Sequence, residues 1–557
     1  MTHANPCCLA LSRRAALRAL LGFPALVLAP RLAAATQNPG IAIPLDAGRG
    51  RAGVHQEVIA EVDALLDRWR PDQARQRLAP LLDRAPRDPA VRAAAARIAF
   101  YAGDYAEAVK LADGVSTAAE LDWLATTRDT VAAFAAAESR HFVLRHDRRD
   151  AILVEPTLEA LERGYELLET SFRFTPPAGK VRVELYPDAR SFYPTTGLSR
   201  RDIEASGAVG LCIFNKIMLL SPRALLQGYR WQDAVVHEYV HYAVVHLTAN
   251  TAPIWVHEGI AKYYETRWRA PRSLYLQPVQ RTLLAEAVAS GRFVGFAEME
   301  PSLVKLPGPR EVQLAYAQGA SAVEFLEAEA GPDALPRLFA AMAQLPKAGA
   351  AVRGIEQLLG VPFAEFERRW RAFVAQKGLD PVPGIELPAY HVKEGIRAEG
   401  GEAADEALEL QLLRNAAART HARLGDRLRE RGRLAPAIME YRKAVEKGPP
   451  SATLLTRLGS ALAGAGRRDE AREALGRVTS LYPDYPSAYV VLGRLELAER
   501  RYQAAVAAFR EALAINPFDP TPHAGLAVAL RAQGHGPEAD EADRTARALG
   551  FTGELEP

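Results

Sequence analysis

The chain has 557 residues, 49% of them hydrophobic and 24% charged, with 69 Lys and Arg against 67 Asp and Glu. At roughly 100–200 residues per domain the length predicts about three to five domains, and the composition excludes wholesale disorder and collagen-like repetition. A formal charge of +2 argues against a dedicated nucleic-acid binder, which carries a basic excess, and no apolar run reaches the length of about 18 residues that a transmembrane helix needs.

Residues 1–35 read as an export signal. Four arginines and no acid accompany an apolar run of 11 residues, Ala19–Ala29, and Ala33-Ala34-Ala35 offers the small residues of a cleavage site. The stretch Ser12-Arg13-Arg14-Ala15-Ala16-Leu17-Arg18 resembles a twin-arginine signal with Ala at its Phe position; a general secretory signal is the alternative. Either route predicts an exported, periplasmic protein. Cleavage removes the four arginines, taking the formal charge from +2 to −2. Cys7 and Cys8 leave with the signal, so Cys212 has no partner for an intramolecular disulfide.

Residues 55–136 read as an all-helical flank. Trp69 and Gly103, and likewise Ala74 and Ala108, lie 34 residues apart, which suggests two degenerate helical repeats within 55–115 or plain Ala-rich hairpins. From 138 to 377 the texture changes. His141–His146 and Val181–Tyr186 alternate as strands do, a helix over about 151–172 separates them, and Gly210–Ser221 reads as two short strands or a hairpin. The pattern is helical from Gln232 to Trp370, so this centre is α+β. Residues 378–405, with Pro381, Pro383, Pro388, Gly400 and Gly401, read as a linker with few contacts across it.

Over 406–550 three registers share one period. Gly425, Gly459, Gly493 and Ala527 are each 34 residues apart, as are Ala437, Ala471, Ala505 and Ala539, and Pro449, Pro483 and Pro517. Tyr441, Leu475 and Phe509 hold a further matching position. Small residues let paired helices approach, larger ones fill the groove, and Pro stops the second helix. This segment resembles the tetratricopeptide repeat, with Asp543 in the aromatic position of a polar last copy.

The central segment carries His237-Glu238-Tyr239-Val240-His241. On a helix, residues i and i+4 share a face, so both imidazoles can meet one metal ion while Glu238 stands beside it, placed to take a proton. A catalytic zinc takes a third protein ligand, and His246, His257 and Glu258 are the candidates downstream. About 500° of helix rotation turns His246 away from the face of His241.

Trp255-Val256-His257-Glu258-Gly259-Ile260-Ala261-Lys262-Tyr263-Tyr264-Glu265 closely resembles the W-x-x-E-G-x-A-x-Y-x-E helix of gluzincin peptidases, and 138–377 as a whole resembles the peptidase MA-like metallohydrolases. The resemblance implies Glu258 as third zinc ligand and leaves Glu265 either behind the ligands or at the surface. Ala315–Leu326 resembles the helix that carries the catalytic Tyr of gluzincin aminopeptidases, which implies Tyr316 as oxyanion donor. The loop that holds a substrate α-amine in those enzymes has no counterpart; Gly207-Ala208-Val209-Gly210 lacks its Glu.

The expected fold is mainly α: a central α+β zincin-like domain between a short helical-repeat-like flank and a tetratricopeptide α-solenoid. The expected function is an exported zinc (Zn2+) metallopeptidase acting on a peptide or protein substrate, held along a strand edge within 210–220, with a protein partner on the repeats. Two alternatives stand: a non-catalytic repeat scaffold with a vestigial zinc site, and a zinc hydrolase of non-peptide amides.

Overall fold

The computed structural model describes residues 55–553 apart from 178, 271–274, 304–305, 389, 394–408 and 414. The export signal expected over 1–35 lies outside them. Helices α1 (Gln56–Asp67), α2 (Pro71–Arg84), α3 (Pro89–Ala102), α4 (Tyr105–Ala112) and α5 (Ala118–Ala132) form the N-terminal flank. Trp69 and Gly103 follow α1 and α3 in the left-handed region, at φ 55° and 85°, and Ala74 and Ala108 are fully buried.

After this flank the chain becomes sheet. Strands β1 (Ala135–Glu138), β2 (Phe142–His146), β3 (Val181–Tyr186), β4 (Gly210–Ile213) and β5 (Lys216–Leu220) lie in the order β1-β2-β3-β5-β4. The middle three are parallel, and β1 and β4 run antiparallel along the two edges. The 210–221 segment is a hairpin whose turn residues Phe214 and Asn215 take φ of 55° and 59°, as a tight turn matched to strand twist requires. Strand β1 departs from expectation. Ala135-Ala136-Ala137 has no strand pattern of its own and is drawn in by pairing with β2. The helical flank therefore ends at Ala132 rather than 136, and the sheet begins before residue 138.

The long helix α6 (Val154–Phe172) follows β2, and the short α7 (Ala189–Thr196) and α8 (Arg200–Ser206) fill the β3–β4 connection. Helix α9 (Trp231–Thr248) packs under the sheet, where Phe142 meets Tyr239 edge-on at 5.0 Å. On the opposite face Lys216 Nζ lies 2.7 Å from Glu184 Oε2 and donates to the Tyr105 hydroxyl at 2.8 Å. The phenols of Tyr105 and Tyr186 donate to the same carboxylate. The flank and the central domain share one apolar core, which runs from Val62 and Phe100 through Leu144 to Leu326. Helices α10 (Ile254–Tyr264), α11 (Pro278–Ser290), α12 (Pro309–Ala330), α13 (Ala334–Ala343), α14 (Ala350–Leu359) and α15 (Phe363–Gln376) complete the domain.

Toward the C-terminus four helix pairs follow: Ala416–Glu430 with Leu434–Glu446, Ala452–Gly464 with Arg468–Leu481, Pro486–Ala498 with Tyr502–Ile515, and Pro520–Ala532 with Gly536–Ala548. Two of the sequence registers meet in space: a Cβ added at Gly425, Gly459 or Gly493 would lie 2.6, 2.7 or 2.6 Å from Tyr441, Leu475 or Phe509. These repeats bury apolar clusters of their own.

The expectation of few contacts across 378–405 fails over its described residues. Lys393 N donates to Ala224 O at 2.8 Å and Leu226 N to His391 O at 2.9 Å, with Leu225 and Val392 bridged antiparallel. Val382 N donates to Thr282 Oγ1, and Glu386 N to the Tyr482 hydroxyl, both at 3.1 Å. Proline's fixed φ suits an extended strap as well as a tether, and here it serves a strap laid on the central domain and tied to the repeats.

Candidate metal and catalytic site

Helix α9 is buried along nearly all its length. Its first turn is fixed by Asp233, which accepts from Trp268 Nε1 at 3.0 Å and pairs with Arg269 at 2.7 Å. One turn on, His237 and His241 stand side by side, their rings 4.7 Å apart and nearly perpendicular. Helix α10 brings Glu258 Oε2 to 3.3 Å from His237 Nε2 and 3.6 Å from His241 Nε2. One ligand atom from each of the three lies within 4.8 Å of the others. Donors held about 2.0–2.1 Å from a tetrahedral zinc stand about 3.3 Å apart, so the three groups present fit an ion of that kind.

The other candidate ligands lie apart from this group. His257 is buried with both ring nitrogens unpartnered and its ring 5.6 Å from that of His241. His246 sits among Trp69, Phe174 and Tyr242, and burial pulls its pKa down to about 3, the mark of a neutral core imidazole. Glu265, undecided in the sequence, faces inward: its Oε2 is 2.9 Å from His237 Nδ1, and its other oxygen accepts from Lys262. A carboxylate behind an imidazole fixes the ring and its tautomer.

Two glycine contacts shape the rest. A Cβ at Gly210, the first residue of β4, would lie 2.6 Å from Glu238 Oε1, so the bare backbone there makes room for the Glu238 carboxylate against the edge strand. Gly259 of α10 and Gly319 of α12 meet backbone to backbone; a Cβ on Gly259 would fall 2.6 Å from Gly319 O. That close crossing brings Glu258 and Tyr316 to line one cavity.

Electrostatics follow the geometry. Burial alone would lower the His237 pKa, but its bonds to Glu258 and Glu265 outweigh it and raise the pKa to about 10. Burial acts upward on Glu258, yet His241 and His237 hold its carboxyl well below the usual range. Burial and the nearby Glu258 and Glu238 charges push the Tyr316 phenol well up, which keeps it a neutral donor.

The cavity over these groups measures about 450 Å³. His237, Glu238, His241, Glu258 and Tyr316 line it from the central domain, Leu387 and Tyr390 from the strap, and Tyr482, Asp484 and Tyr485 from the repeats. The repeats are clamped beside α9 by Arg230, which reaches Asp484 Oδ1 at 2.8 Å, Glu511 Oε2 at 2.7 Å and Pro483 O at 3.0 Å. No motif announces Tyr390, Arg230 or Asp484; only the fold brings them here.

No curated protein matches the chain. Among solved structures, a crystal structure of MamA matches at 24% identity over 26% of this chain and 84% of that one, with a TM-score of 0.23. MamA from Desulfovibrio magneticus RS-1 matches at 21% identity over 25% and 78%, with a TM-score of 0.23. The tetratricopeptide repeat family matches residues 59–120 and 456–520. Between them, residues 201–376 match the Peptidase MA superfamily, so the chain carries a peptidase MA superfamily domain flanked on both sides by tetratricopeptide repeats.

Proposed function

We propose that the chain is an exported zinc-dependent metallopeptidase that hydrolyses peptide bonds with a Glu general base. One observation carries the reading: His237, His241 and Glu258 converge within 4.8 Å in the cavity that Glu238 and Tyr316 also line. Zinc held by those three groups would polarise a carbonyl and lower the pKa of a bound water to about 7. Glu238 would accept the proton of the attacking water on its carboxylate and return it to the leaving amine. The Tyr316 hydroxyl would donate to the carbonyl oxygen as it gains charge. Glu265 would hold His237 in place, and the outer edge of β4 would take an extended substrate by backbone hydrogen bonds.

Mass spectrometry of the purified protein is expected to find one zinc per chain, N-terminal sequencing of exported material to begin at Thr36, and a peptide library to be cut. Glu238→Gln is expected to keep the zinc and lose about 10²–10⁴-fold in turnover. Zinc-free protein, or a Glu238→Gln variant as fast as the parent, overturns the reading. Repeats on both flanks favour a second reading, a non-catalytic scaffold that binds a protein partner and keeps a vestigial site. Zinc-loaded protein that cuts neither peptides nor non-peptide amides selects it, whereas cutting of the amides alone changes the substrate class.

A further inference from the structure

The walls of the cavity come from three stretches far apart in sequence: the central domain, the strap at Glu386, Leu387, Pro388 and Tyr390, and the repeats around 452–485. Each of the two outer walls is tied down. The strap is held at one end by the backbone bonds of Ala224 and Leu226 with Lys393 and His391, at 2.8 and 2.9 Å. At the other end Glu386 N donates to the Tyr482 hydroxyl at 3.1 Å. The repeats are held by the three bonds of Arg230 and by Tyr229 N, which donates to Ile515 O at 3.0 Å. Gly228 approaches the same carbonyl so closely that a Cβ there would collide with it.

The strap also bears on the edge strand. The Tyr390 ring fills the space that a Cβ on Gly207 would need, at the turn leading into β4. A peptide paired along β4 advances about 3.4 Å per residue, and β4 is four residues long. Beyond its first residue such a peptide runs toward the Gly207–Tyr390 contact. A cavity of about 450 Å³ falls within the range of sites that enclose a small ligand, about 300–1,000 Å³.

We propose that the strap and the repeats roof this site, so that substrate enters by a free chain end: the substrate class is short peptides of about four residues, or exposed termini, with internal segments of folded proteins excluded. This rests on the peptidase reading above. Tyr390 and Tyr482 are then the residues that set how far a substrate extends.

The zinc-loaded full chain is tested on two probes, a random tetrapeptide pool and the same random four residues placed between two copies of a small folded domain. Mass spectrometry is expected to show the pool cut and the embedded segment intact. If both are cut, the peptidase reading stands and the roof is overturned; if only the embedded segment is cut, the roof is likewise overturned. If neither is cut, the peptidase reading fails and the substrate class with it. Hydrogen exchange on the metal-free full chain reads the roof without activity. Residues 382–388 and 390–393 are expected to exchange much more slowly than an unstructured peptide, and exchange at the unprotected rate overturns the proposal.

Discussion

The N-terminal flank reaches the sheet through Tyr105, which bonds both members of a buried ion pair within the sheet, Lys216 with Glu184, at 1% and 3% side-chain exposure. The C-terminal repeats reach the central domain through Arg230, whose partners Asp484 and Glu511 are each 46% exposed. Both flanks match the same repeat family, yet one joint completes a core and the other borders a cavity. Each joint also buries a carboxylate, and the two shift in opposite directions. Burial raises the pKa of both. At Glu184 the Lys216 charge and the bonds from Lys216, Tyr105 and Tyr186 outweigh it and hold the carboxyl below the usual range. At Asp150, Arg223 at 3.2 Å and the Ser221 hydroxyl do not, and the pKa rises to about 6. That Arg223 also lies 4.4 Å over the ring of Phe518, in the repeats. The same helical repeat thus serves as core or as site wall according to how fully its contact with the domain is dried and paired.

The largest effect is expected at the N-terminal joint. Glu184→Ala leaves the Lys216 ammonium buried without a carboxylate, and breaking a buried pair from one side costs about 3–5 kcal/mol. Urea unfolding followed by tryptophan fluorescence measures it. Adding Lys216→Met is expected to recover most of the loss, because removing both charges together is often neutral. A single-variant loss below about 1 kcal/mol, the value of an exposed pair, would erase the contrast between the joints.

Asp150 gives the next effect, and its sign is opposite to that of a paired carboxylate. Its folded pKa, about 6, lies above the ordinary 3.8, so the folded state binds the proton more tightly. Its contribution to stability is full below pH 4 and is lost as pH rises toward 6. Arg223, Asp147 and Arg149 are the charges that face it. Asp150→Asn removes the titration, so relative to the parent it is expected to gain about 2 kcal/mol between pH 4 and pH 7. A difference between variant and parent that stays flat with pH would mean that Arg223 compensates Asp150 as fully as Lys216 compensates Glu184.

These contrasts mark what the sequence could reveal. Strands β2 and β3 were legible because alternation is local, the β4–β5 segment because it is a short, largely apolar run, and the repeats because a 34-residue period is self-evident in Gly425, Gly459 and Gly493. The spacing of His237 and His241 and the helix signature around Glu258 carried the candidate metal group. Strand β1 was not legible, since three alanines become a strand only beside β2. Glu265 stayed undecided because its helical face was known but its partner, His237 Nδ1 at 2.9 Å, is a tertiary fact. The strap misled for the same reason: prolines mark an irregular segment without saying whether anything lies beneath it.

The smallest effect is expected at Arg230, and it tests whether the C-terminal joint is a rim. Arg230 itself is 14% exposed, so its loss could be taken for a core defect. Its removal, however, strands no buried charge. Asp484 and Glu511 are each 46% exposed and return to water, and pairs of that kind contribute about 1 kcal/mol or less. Arg230→Ala is therefore expected to lower stability by about 1 kcal/mol, with the difference from the parent shrinking in 1 M NaCl because the Debye length there falls to about 3 Å. Asp484→Asn in the Arg230→Ala background should add little, since the bond it would break is already gone. A loss of about 3 kcal/mol or more, insensitive to salt, would show that this joint is dried and paired like the one at Lys216, and that the repeats belong to the core of the central domain rather than to the wall of its cavity.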